Sequence, residues 1–166
     1  METFDAYRPL RRGDLTAGAA FAYYPRALAV APSHRLAAKS TVSSEELAEE
    51  QVALLPDSIP SAVYDLLVPR RTPSGRPIRR TQPVQTINEI LSLVARGRIV
   101  HPTSSGVPIF DRDDITLIPS TDLPPLPLGL VWATSRDNPR IRALNQTAQA
   151  LTTAPDAQRP STTASR

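Results

Sequence analysis

An α/β fold is expected, and three observations predict it. Thr86 followed three residues later by Glu89 is a capping box, the hydroxyl accepting from a first-turn N–H while the carboxylate reaches back. Ile87, Ile90, Leu91 and Val94 then recur at helical spacing, with Leu93 widening the apolar face, until Gly97 supplies the left-handed residue that closes a helix. Extended runs flank this helix: Arg80 to Gln85 before it, and Arg98-Ile99-Val100-His101 after it, ended by Pro102. Strand, helix, strand favours a parallel sheet with helical cover.

The remaining elements follow in chain order. Met1 to Gly18 mixes arginines with Asp5 and Asp14 and contains no recognisable first strand. Ala19 to Tyr24 reads as extended. Arg26-Ala27-Leu28-Ala29-Val30-Ala31 is a clearer strand, ended by Pro32-Ser33, and His34 to Ala37 is a turn. Ser43 with Glu46 is a second capping box, opening a short helix whose core contact is Leu47. Gln51 to Leu55 is a short apolar strand. Pro60 suits a first helical turn, and Ala62 to Val68 continues it.

Pro69 to Pro77 is loop. Past Pro102, Thr103 to Gly106 is polar and Asp111 to Asp114 is a charged turn. Ile115 to Pro119 and Leu128 to Trp132 are strands, separated by a connector holding Pro124, Pro125 and Pro127. Asn138-Pro139 opens a last helix with Ile141, Leu144, Ala148 and Leu151 on one face. Thr152 to Arg166 lacks large apolar residues and is expected to be disordered.

Composition narrows the function classes. The length of 166 residues suits one domain, and with only 5% aromatic residues its core must be filled by Leu, Val, Ile and Ala. With no cysteine, disulfides, thiolate metal sites and Cys nucleophiles are excluded. No apolar run is long enough to span a bilayer, so a cytoplasmic protein without membrane contact is expected. The net charge of +3 is carried almost wholly by arginine, Lys39 being the only lysine, and does not by itself imply nucleic-acid binding.

The order of these pieces resembles the C-terminal effector-binding domain of LysR-type transcriptional regulators. Pro25 to Ala31 with His34-Arg35-Leu36-Ala37 looks like that family's strand and its His-Pro-Leu-Ala turn, Arg35 standing where Pro is usual. Val42 to Ala48 looks like its short helix, Thr86 to Gly97 like its second-lobe helix, and Ile99 to Pro102 like the strand after it. Leu128 to Trp132 and Pro139 to Leu144 look like its closing strand and helix. The match covers about Ala20 to Leu151.

The resemblance implies a type 2 periplasmic-binding-protein-like fold: two α/β lobes joined by two crossing strands, here near Ala27–Ala31 and Ile115–Pro119. It implies one lobe at about residues 33–112, part of a second at about 19–32 and 113–151, and a tail from 153. Family members also carry a winged helix-turn-helix, then a strand, helix and strand before the position of Arg26. None of these is recognisable here, so an N-terminally truncated domain is expected, with Met1 a misassigned start or the gene shortened.

The resemblance places an effector between lobes, at the C-terminal ends of strands and the N-termini of helices, where unpaired N–H groups favour anions. That singles out Asp57, Ser58, Thr86, His101, Thr103 and Ser104 as effector-binding residues. Capping alone is the stronger reading for Asp57, Ser58 and Thr86, and an ordinary polar turn accounts equally well for Thr103 and Ser104. His34 and His101 have no further ligands at metal-binding spacing, so no metal and no cofactor is expected. No Gly-x-Ser-x-Gly elbow occurs, so no enzyme is expected. Arg70, Arg71, Arg76, Arg79 and Arg80 form a basic cluster that could bind phosphate or an acidic effector, but a solvated loop without aromatic residues for bases to stack on is the favoured reading.

The function expected is therefore sensory: binding a small-molecule effector, an anionic one being one possibility, for a LysR-type regulator. DNA would be reached only through a domain absent from this chain, and the full-length form is expected to be a homo-oligomer. Two alternatives stay open, a free-standing solute- or metabolite-binding protein of the same fold and a non-functional truncated remnant.

Overall fold

The computed structural model of the chain describes residues 15–17 and 22–153. Strands β1 (Leu15–Ala17), β2 (Ala22–Tyr24) and β3 (Arg26–Val30) lead through a 3-10 turn (Ser44–Glu49) to β4 (Gln51–Leu54). Helix α1 (Ser61–Leu67), β5 (Arg79–Pro83), helix α2 (Ile87–Ala95) and β6 (His101–Ser104) follow. Then come β7 (Thr116–Pro119), β8 (Leu126–Leu128), β9 (Val131–Ala133) and the closing helix α3 (Pro139–Thr153).

Every residue of β3 is buried because it is the middle strand of three, in the order β6-β3-β7. Both pairings are antiparallel, with Leu28 opposite Pro102 on one side and Ile118 on the other. β3 and β7 are the segments expected to cross between lobes. β4 and β5 pair in parallel, with a register shift between Val52 and Ala53. The chain leaving α2 returns to the other side of β4, where Val100 N donates to Gln51 O at 3.0 Å. β5, α2 and this returning segment thus form the expected strand-helix-strand unit around β4.

The core gathers on these elements. Leu28 and Val30 of β3 meet Val52 and Ala53 of β4, the Ile90-Leu91-Val94 face of α2, and Ile99 and Val100. Thr86 caps α2 as expected, Glu89 N donating to its hydroxyl at 3.2 Å. The reciprocal arm differs: the Glu89 carboxylate accepts from Gln85 N, one residue before the cap. Gly97 closes the helix at φ +65°, a conformation costly for any residue with a Cβ.

Local differences have physical causes. Pro102 lies inside β6 instead of ending it; β6 is an edge strand, where a residue without an N–H is tolerated. The Ser43 capping box is complete but opens a 3-10 turn. Leu128 to Trp132 is two strands, because the chain changes partner at Gly129-Leu130: β8 pairs with β2 and β9 with β1. Residues 15–17, within the stretch read as lacking a strand, form β1. The disordered tail expected from Thr152 begins inside α3, which runs to Thr153, and otherwise lies outside the described residues.

Candidate functional site

The six residues expected to meet an effector fall into two groups. Asp57 and Ser58 sit in the turn after β4, closed by Ile59 N donating to Pro56 O at 3.0 Å. Thr86 stands three residues past the end of β5, at the start of α2. Both positions follow the C-terminal ends of a parallel strand pair, where loops and helix N-termini converge. Asp57 and Ser58 line an open depression of about 370 Å³ together with Leu54, Pro83 and Gln85, the neighbour of Thr86.

The second group is His101, Thr103 and Ser104, all on β6 and all buried. The polar turn read at Thr103-Ser104 is strand, and it begins only at Ser105. His101 stacks on Phe110 with ring centroids 5.9 Å apart. Its Nδ1 is buried without a hydrogen-bond partner. Burial, and secondarily the nearby charge of Arg26, lowers its pKa to about 4, so the imidazole is neutral at physiological pH.

Arg26 is the residue that sequence reasoning missed. It opens β3 and is only 2% exposed. Its Nε donates to Thr103 O at 2.9 Å, Nη1 to Leu66 O at 2.8 Å and Nη2 to Leu67 O at 2.7 Å. Leu66 and Leu67 are the last two residues of α1, whose end carries the negative pole of the helix dipole. The guanidinium is thus matched to backbone carbonyls, and burial lowers its pKa to about 10. The available signal was an arginine joined directly to an apolar strand, ambiguous because strand ends commonly face water.

Arg26 links the two groups through α1, which begins after the Asp57–Ser58 turn and ends against Arg26 and β6. A second arginine holds the same helix end. Arg80 of β5 donates to Val68 O and, at 3.0 Å, to Asp65, and its guanidinium lies 4.0 Å from the centroid of the Tyr64 ring. Tyr64 in turn accepts from Leu55 N at 2.9 Å. Partial burial would raise the Asp65 carboxyl, but Arg70 and Arg80 outweigh it and hold its pKa below the ordinary value.

These contacts redefine the basic cluster. Arg70 and Arg80 share Asp65, Arg76 lies 3.6 Å from Glu49, and Arg71 donates to Gly75 O. The acids are supplied by α1 and the 3-10 turn. Among the described residues, no group of three or more His, Asp or Glu is placed to hold a metal ion, and no helix is long and apolar enough to cross a membrane.

A family model described as the LysR substrate binding domain matches residues 6–152. No curated protein matches the sequence. Solved structures do match in fold. The effector-binding domain of QuiR, in complex with shikimate, has a TM-score of 0.62 at 12% identity, over 92% of this chain and 78% of that one. The CcmR regulatory domain of Synechocystis PCC6803, in complex with 2-PG, has a TM-score of 0.62 at 14% identity, over 92% and 81%. Full-length CbnR, complexed with its target DNA, has a TM-score of 0.62 at 17% identity; the match covers 84% of this chain and 48% of CbnR.

Proposed function

Since the chain belongs to the LysR substrate binding domain family, we propose that it binds a small-molecule effector through Asp57, Ser58, Thr86, His101, Thr103 and Ser104. The observation that carries this reading is the position of Asp57, Ser58 and Thr86 beyond the C-terminal ends of β4 and β5, a place where the α/β architecture leaves loops and the first turn of α2 to meet a ligand. Thr103 and Ser104 add hydroxyls on β6, and Arg26 adds a buried positive charge behind them. An effector with a carboxylate or phosphate suits that charge and the dipole of α2. QuiR and CcmR, whose folds this chain shares, are in complex with shikimate and 2-PG, which supports a small-molecule effector here.

Regulation follows if the effector binds one arrangement of the chain better than another. DNA binding would then belong to a longer, homo-oligomeric form of the protein, as full-length CbnR is the form complexed with target DNA. Residues 33–112 read as one lobe and the flanking segments as part of a second. The test is a binding screen of small carboxylates and organic phosphates, shikimate included, by thermal shift and isothermal titration. A member that binds should raise the melting temperature by mass action. Thr86→Val or Thr103→Val should weaken its binding; unchanged affinity in both would remove these residues from the site.

A further inference from the structure

Helix α1 has few means of staying in place by itself. It has seven residues, its N-cap Pro60 offers no side-chain hydrogen bond, and a helix this short is not stable alone. Tyr64, Leu66 and Leu67 are half-buried, and Val68, just past the last turn, is fully enclosed. Its C-terminal carbonyls are taken by side chains from two separate sheets: Leu66 and Leu67 by Arg26 of β3, Val68 by Arg80 of β5. Arg26 alone also reaches β6, through Thr103 O. Its backbone carbonyl accepts from Ser120 N at the end of β7, so one residue meets β6, β7 and α1.

We propose that Arg26 is a positioning residue, which fixes α1 and the Asp57–Ser58 turn before it to the β6-β3-β7 sheet. The inference rests on the effector-binding reading for its functional meaning, since it joins the two groups of candidate contacts. A shift of β3 against β7 would be passed to the Asp57–Ser58 turn by the guanidinium. Lysine carries the charge but not the planar fork whose three nitrogens each meet a different carbonyl here, so the role is specific to arginine.

The chain contains no cysteine, which allows spin labels to be placed at will. Labels at Ser61→Cys on α1 and Ser92→Cys on α2, both exposed positions, report the separation of the two helices by double electron–electron resonance. In the otherwise native chain the distance distribution should be narrow. Arg26→Met should broaden or shift it in protein that remains folded by circular dichroism, and Arg26→Lys should do so in part. A role in stability alone would lower the melting temperature and leave the distribution of the folded protein unchanged, which overturns the proposal.

If neither variant folds, native-state hydrogen exchange of the unsubstituted chain decides. The Val68 amide, bonded to Tyr64 O, should then open only together with β3. Opening of α1 while β3 stays protected overturns the proposal. None of these measurements needs an effector, so failure here is distinct from failure of the binding reading.

Discussion

The Asp122 carboxylate accepts a hydrogen bond from the Ser43 hydroxyl at 2.7 Å, across 79 residues of chain. It also accepts from Ser44 N at 2.8 Å and Ser44 Oγ at 2.9 Å. A carboxylate from beyond β7 thus adds a further acceptor to the cap of the 3-10 turn, beside the bridge between Val42 and Ser120. Partial burial would raise its pKa, but the bonds from Ser43 and Ser44 outweigh it and lower the value.

Asp122→Ala removes the acceptor of these three hydrogen bonds and should therefore cost about 1 kcal/mol, read as a shift in urea midpoint. Asp122→Asn, which keeps one acceptor oxygen, should cost less. Because the folded pKa is depressed, this contribution is present above the ordinary carboxylate range and is lost as pH falls through the folded value. Equal midpoints for Asp122→Ala and the unsubstituted chain at pH 7 would show the contact to be energetically idle.

Thr86→Val should likewise cost about 1 kcal/mol through loss of the bond to Glu89 N. Thr86→Ser should restore most of it, since the hydroxyl is what the cap requires. Chemical denaturation of the three proteins separates these outcomes. A loss in the serine variant with none in the valine variant would mean that the methyl group, not the cap, stabilises the site.

His101 makes stability fall in mild acid. Its folded pKa of about 4 lies below the roughly 6.5 of an unfolded histidine. The unfolded chain takes up the proton first, so the contribution is complete above about pH 6.5 and is lost as pH falls toward 4. His101→Leu, which leaves no buried nitrogen unpartnered, should flatten the dependence of the urea midpoint between pH 6.5 and pH 5. An unaltered slope in that variant would assign the dependence to other groups.

Hydrogen exchange should divide the chain by burial. Beyond Ile118 no described residue is buried, and Leu144 and Leu151 of α3 are 59% and 71% exposed. The slowest amides should lie in β3, β4 and α2, and α3 should exchange before them. Uniformly slow exchange from β3 through α3 in a monomer would show that the later elements share the core's stability.

The sequence by itself determined the elements whose signals are local. The Ser43 and Thr86 caps, the 3.6-residue period of α2 and its stop at Gly97 each lie within a few residues, so pattern alone located them. The order of such pieces was also enough to point to the family. Tertiary structure decided which strands pair, and it turned Pro102 from a strand end into an edge position. It buried Arg26 against α1 and brought Asp122 to the second cap. Those contacts join residues 40 to 79 positions apart, and no local pattern specifies which distant carbonyl or hydroxyl a charged side chain will meet. The reason is energetic: a buried charge such as Arg26, or an exposed one such as Asp122, takes hydrogen-bond partners wherever the packed chain presents them, and for the buried one they are obligatory.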